Sequence, residues 1–142
     1  MLKALRRQPG VHYPVLVPNT RGLSDLQALL AQHPEPLTDE ISVFTSATDA
    51  FNRANLNCTV KESLGTLKDV VRTALDSGLR VRGYVSVVVY CPYSGKVDYK
   101  KVSEVAKELV EMGCYEVSLG DTVGRARPHE VQEMIAEVEK HV

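Results

Sequence analysis

The chain has 142 residues, enough for one sizeable core, so a single unit over 1–142 is expected. Its hydrophobic content of 44% and charged content of 25% are those of an ordinary soluble globular protein rather than a disordered one. A net charge of −1 gives no general attraction to nucleic acid or anionic lipid, and no apolar run approaches the roughly 20 residues of a membrane span; neither partner is expected.

Strand and helix signals alternate along the chain. Tyr13-Pro-Val-Leu-Val-Pro18 reads as a short strand ending at Asn19. Ser24-Asp-Leu-Gln27 has the form of a capping box for a helix with Leu23, Leu26, Leu29 and Leu30 on one face, broken by His33-Pro-Glu-Pro36. Ile41-Ser-Val-Phe44 is a second strand, closing on Thr45, Ser46, Thr48 and Asp49. Thr59-Val-Lys-Glu62 opens a helix carrying Leu64, Leu67, Val70, Val71, Ala74 and Leu75, with Gly78 at its left-handed end. Val81 to Tyr90 predicts a long strand, with Arg82, Tyr84 and Ser86 on one face and Val85 and Val87 on the other. Asp98 caps a helix bearing Val102, Val105, Ala106, Leu109 and Val110, which Gly113 ends. A fourth strand, Glu116 to Leu119, runs into Gly120, Asp121 and Thr122, and Pro128 then starts a last helix.

This β-α-β-α-β-α-β-α order predicts an α/β fold with a parallel sheet and right-handed crossovers. A four-stranded open sheet and part of a (β/α)₈ barrel both satisfy it. Length favours part of a barrel, since a whole one takes roughly 250 residues. No glycine-rich phosphate loop follows any strand, which weakens the nucleotide-binding alternative. In a parallel architecture the polar strand ends, Asn19, Ser46, Ser86, Asp121 and Thr122, converge on one rim. Simple backbone capping is the plainer reading of Asp121 and Thr122.

Cys58, Cys91 and Cys114 are odd in number and form no C-x-x-C pair, so an intracellular reducing compartment is expected and each reads as a small packing residue. His12, His33, His129 and His141 form no H-x-H or H-x-x-x-H pair, so no self-contained metal site is expected.

Five stretches in order resemble the 3-hydroxy-3-methylglutaryl-CoA lyase family of metal-dependent barrel enzymes. They are Tyr13-Pro-Val-Leu-Val-Pro-Asn19, Ala54-Asn-Leu-Asn-Cys-Thr59, Val81-Arg-Gly-Tyr-Val-Ser86, Cys91-Pro-Tyr93 and Gly113-Cys-Tyr-Glu-Val-Ser-Leu-Gly-Asp-Thr-Val-Gly124. The resemblance implies strands three to six of a TIM barrel and cleavage of 3-hydroxy-3-methylglutaryl-CoA to acetyl-CoA and acetoacetate, in leucine degradation and ketone body formation. It implies a catalytic Asp121, with Tyr84 and Thr122 on the acyl group and Asn19, Ser46 and Ser86 lining the same rim. Arg82 could hold a carboxylate or sit in a buried ion pair, and Asn55 and Asn57 shape the loop after the second strand. Mg²⁺ or Mn²⁺ belongs to the complete enzyme, with its ligands expected outside this chain. The chain has no Arg-Asp dipeptide, no H-x-H pair and no Gly-Gly loop, all of which the family's metal site and mobile loop use. The expectation is therefore an isolated chain without turnover that binds acyl-CoA and self-associates or takes up a complementing half-barrel. The alternatives are a non-catalytic remnant binding acyl-CoA or a partner chain, or part of a related Claisen-type synthase. The resemblance places it in the mitochondrial matrix of a eukaryote or the cytoplasm of a bacterium.

Overall fold

A short 3₁₀ turn, Leu2–Ala4, precedes the first strand in a computed structural model that describes residues 2–35 and 37–142. The elements then run β1 Val15–Leu16, α1 Thr20–Ala31, β2 Glu40–Ser46, α2 Asp49–Leu56 and α3 Val60–Asp76. They continue with β3 Arg80–Ser86, the hairpin β4 Tyr90–Cys91 and β5 Gly95–Lys96, α4 Tyr99–Glu111, β6 Glu116–Gly120 and α5 Pro128–Val138. Four strands form one sheet in the order β1-β2-β3-β6, every pair parallel. The expected alternation and parallel sheet are therefore present.

Each strand has one face on the helices and one that faces away from them. Val81, Gly83 and Val85 alternate in burial with the half-buried Arg80, Arg82, Tyr84 and Ser86. A side chain at Gly83 would meet Leu109 at 3.1 Å, which shows how closely α4 lies on this strand. Ile41, Val43, Val70, Val71, Val102 and Leu109 are fully buried between sheet and helices. On the face away from the helices, the parallel register builds rungs of like position: Ser42–Arg82–Glu116, then Phe44–Tyr84–Ser118, then Ser46–Ser86–Gly120.

Several boundaries differ from the sequence expectation. Helix α1 starts a turn before Ser24: Asn19 is its N-cap, accepting from the Gly22 N–H at 3.0 Å. It ends at Ala31, ahead of His33, and Pro36 lies outside the described residues. The run expected to be strand to Tyr90 stops at Ser86, because Val87 turns to φ 56° and its N–H goes to Thr122. The polar stretch after β2 is not only loop. Thr48 caps the short helix α2, and Asn57 closes it in the left-handed region at φ 55°. The Thr59–Glu62 capping box, the Asp98 cap and the positive φ of Gly78 and Gly113 all occur where expected.

Candidate active site

The carboxyl ends of β3 and β6 are laced together. Val88 N–H donates to the Gly120 carbonyl at 3.2 Å, and Val87 N–H donates to Thr122 Oγ1 at 2.8 Å. Ala47 N–H reaches the Ser86 carbonyl at 3.1 Å, which ties in the end of β2. These bonds fix the order of groups along the rim and hold Asp121 one residue past the rung Ser46–Ser86–Gly120.

Asp121 sits in a tight turn closed by Gly124 N–H on its carbonyl at 2.9 Å. Its Oδ2 accepts from the Ala126 N–H at 2.9 Å, whereas its Oδ1 is buried with no hydrogen bond among the described residues. A buried carboxylate oxygen without a partner is costly in a purely structural role. Glu40 Oε2 and the Tyr99 hydroxyl are the other buried side-chain polar atoms without a hydrogen bond among the described residues. Thr122 is exposed, and its hydroxyl oxygen already serves the Val87 N–H as a brace between the two loops.

Tyr84 lies one rung below Ser86, between Phe44 and Ser118, half-exposed and with no hydrogen bond from its hydroxyl among the described residues. Ser86 is half-buried beside it. Ser46, by contrast, is fully buried: its Oγ lies 2.8 Å from Asn52 Oδ1 and 2.9 Å from the Thr48 carbonyl. Asn52 continues the network through Thr45 to Ser63 on α3. Asn19 is exposed at the end of β1 with its oxygen committed to the α1 cap. The fold thus brings Tyr84, Ser86, Asp121 and Thr122 together, places Ser46 inside, and leaves Asn19 on the neighbouring strand end.

Sequence reasoning missed two clusters. At the other end of the sheet, Glu40 is 1% exposed, with Arg82 at 3.5 Å, Arg80 at 3.7 Å and the Tyr115 hydroxyl donating at 2.9 Å. Arg82 also pairs with Glu116 at 3.0 Å, so its structural reading holds here. The Tyr115 hydroxyl bonded to it pushes the Arg82 guanidinium's pKa further up. Glu40 and Tyr115 are 75 residues apart, and nothing in a local pattern pairs them. Beside the rim, buried Glu130 accepts from the Tyr90 hydroxyl at 2.8 Å and from the Arg127 N–H at 3.0 Å, which pins the β4–β5 hairpin to α5. Cys91 in that hairpin is raised by burial, but bonds from Ser94 and Thr48 outweigh this and bring its thiol below the ordinary value. No local pattern marks Glu130: Arg127 has no side-chain acceptor for a capping box, and only the return bond, Arg127 N–H on Glu130, is formed.

Among the described residues no three His, Cys, Asp or Glu side chains gather in a way that could hold a metal ion. The described residues do not by themselves fit a metal centre. No helix among them is long and apolar enough to cross a membrane.

A parallel sheet with helices on one face and polar groups at its carboxyl edge has the architecture of part of a (β/α) barrel. The family model described as HMGL-like matches residues 12–142, and the chain belongs to that family. It is 42% identical over its full length to the mitochondrial hydroxymethylglutaryl-CoA lyase of Bos taurus, covering 42% of that protein. It is 46% identical over 138 residues to the cytoplasmic 3-hydroxy-3-methylglutaryl-CoA lyase of Danio rerio, covering 97% of this chain and 39% of that one. The fold matches the crystal structure of the HMG-CoA lyase from Brucella melitensis with TM-score 0.90 and 45% identity, over 99% of this chain and 47% of the other. An HMG-CoA lyase from Acinetobacter baumannii, in complex with coenzyme A and 3-methylmalate, matches with TM-score 0.84 and 25% identity over 98% of this chain and 43% of its own. The chain spans less than half the length of these relatives, so its fold is a partial TIM barrel of four parallel βα strands.

Proposed function

We propose that this chain carries the acid-bearing rim of a hydroxymethylglutaryl-CoA lyase, a carbon–carbon lyase of leucine degradation and ketone body formation. The observation that carries this reading is the buried, unpartnered Asp121 Oδ1 at the end of β6, two strand ends away from the Ser46 network. In the cleavage, a base takes the proton of the substrate's tertiary hydroxyl, and the bond between that carbon and the thioester's α-carbon breaks. One product is acetoacetate; the electron pair stays on the thioester as its enolate. Asp121, as the acid, returns a proton to that α-carbon to give acetyl-CoA. Tyr84 and Ser86, one rung below and beside it, line the acyl group, with Thr122 bracing the loop and Asn19 further along the rim, past the end of β1. Mg²⁺ or Mn²⁺ in the complete enzyme would polarise the hydroxyl from ligands outside these residues.

The isolated chain is expected to show no turnover. An assay with the thioester and Mg²⁺ or Mn²⁺ decides this: activity lost with EDTA and in Asp121→Ala would overturn it. The role of Asp121 is tested by exchanging residues 1–142 for the matching segment of the Brucella melitensis lyase. Asp121→Asn should lower kcat of that chimera by about 10²-fold or more. An unchanged kcat would remove Asp121 from the chemistry and favour a rim that only binds acyl-CoA or a partner chain. The names of the relatives support the mitochondrial matrix or the cytoplasm as its place of work, according to source.

A further inference from the structure

The turn that carries Asp121 is held from within and also from the hairpin that follows β3. Within the turn, Ala126 N–H donates to Asp121 Oδ2 at 2.9 Å. The next amide along, Arg127 N–H, donates instead to Glu130 Oε2 at 3.0 Å. Two successive N–H groups thus each hold one carboxylate. Planar peptides leave only two soft dihedrals per residue, so neither bond can shift far without moving the other.

Glu130 is itself fixed from outside the turn. It is 5% exposed, and its Oε1 accepts from the Tyr90 hydroxyl at 2.8 Å, with Lys96 Nζ at 3.5 Å. Tyr90 and Lys96 face each other across the β4–β5 hairpin, so both groups come from one pair of positions. The hairpin rests on the core in turn. Cys91 and Val97 are buried, Val97 N–H donates to the Val89 carbonyl at 3.0 Å, and the Thr48 hydroxyl reaches the Cys91 sulfur at 3.2 Å. Arg125, in the Asp121 turn, lies 5.8 Å over the Tyr90 ring, a second contact between the same hairpin and turn. A buried carboxylate left without its donors and its cation is costly, so the hairpin resists any withdrawal of Glu130.

We propose that Glu130, held by Tyr90 and Lys96, is a positioning residue for Asp121. Through Arg127 it fixes the Ala126 N–H on Oδ2 and so keeps Oδ1 as the oxygen free to carry the proton. The inference rests on the acid reading of Asp121 above and adds how that acid is aimed: the hairpin after β3 sets the turn after β6. Glu130 acts only through the backbone and is not itself placed on the substrate.

The test has two arms. In the chain itself, the Ala126 amide shift is followed against pH by NMR. In the parent it should track a carboxylate titration that Asp121→Asn removes. Glu130→Ala should also remove it, and Tyr90→Phe, the milder change, should weaken it. Glu130→Gln should keep it, because its side-chain oxygen still accepts from Arg127 N–H. In the chimera, Glu130→Ala should lower kcat by about tenfold or more with KM within about twofold, and Glu130→Gln should restore most of the loss. Gly113→Ala, a destabilising change at the opposite end of the sheet, should leave kcat unchanged, which separates lost aim from lost stability. An Ala126 titration that survives in Glu130→Ala would overturn the positioning role. So would a Glu130→Gln chimera as impaired as Glu130→Ala. If Asp121→Asn leaves kcat unchanged while the Ala126 titration still depends on Glu130, the acid reading falls and the brace on the turn stands.

Discussion

Asp121 shows how a single residue can satisfy two readings at once. Its Oδ2 does what a turn carboxylate does, accepting from Ala126 N–H, and this much a sequence pattern suggests. The placement of Oδ1, buried and unbonded, is what the proposed role in chemistry adds to capping. Thr122 and Ser46 show the reverse: hydroxyls at strand ends whose oxygens the fold has already committed. Glu130 carries a testable charge effect. The Arg127 N–H, the Tyr90 hydroxyl and Lys96 hold its carboxyl below the ordinary range. A depressed carboxylate stabilises the fold fully above the ordinary range, and that contribution is lost as pH falls through the folded value. The parent should therefore melt above Glu130→Gln at neutral pH, and the gap should close towards about pH 3. An equal gap at both pH values would show that the carboxylate's charge is not what matters. Burial pushes the Cys114 thiol up to about 11, so native protein should leave Cys114 unalkylated by iodoacetamide at neutral pH. Labelling of Cys114 as fast as in urea would contradict this.

At the scale of elements, helix ends were the most legible features. Thr59 and Glu62 cap each other's backbone as the spacing requires, with Thr59 N–H on Glu62 at 2.7 Å and Glu62 N–H on Thr59 at 3.2 Å. Thr59→Ala should cost about 1 kcal/mol in urea unfolding. Glycines separate local from tertiary demands. Gly113 has φ 107°, and a Cβ there would come within 2.6 Å of Leu75 Cδ1, so Gly113→Ala should cost about 1–3 kcal/mol. Gly65 lies within α3 with nothing within 4 Å of a Cβ, so Gly65→Ala should stabilise by roughly 0.5–1 kcal/mol. The same sign for both substitutions would defeat the argument. The start of α1 was misread because Ser24 and Gln27 offer a local capping pattern, while Asn19 competes for the role with a side chain that reaches Gly22. The end of β3 was misread for a different reason. Val87 to Tyr90 are apolar enough for a strand, but Thr122, 35 residues away, takes the Val87 N–H and turns the chain.

At the scale of the molecule, both lateral edges of the sheet lack a partner strand among the described residues: β1 on one side and β6 on the other. Large exposed apolar residues accompany the β1 edge, with Leu16 60% exposed, and open parallel edges invite further pairing. The chain is expected to self-associate or to take up a complementing half-barrel. Light scattering after size exclusion should find an assembly that Leu16→Lys weakens, and a compact monomer with a sharp cooperative melt would refute this. The sequence by itself determined the alternation of strands and helices, the caps of α3 and α4 and the family, because these rest on spacing within a few turns or on five short motifs. Tertiary structure alone decided which hydroxyls are already bonded, that Glu40 lies beneath Arg80, Arg82 and Tyr115, and that Tyr90 reaches Glu130. Those outcomes depend on register between strands tens of residues apart, which no local pattern encodes. Asp121 belongs to both: its turn is written in the sequence, and its unpartnered oxygen exists only once the strands are side by side.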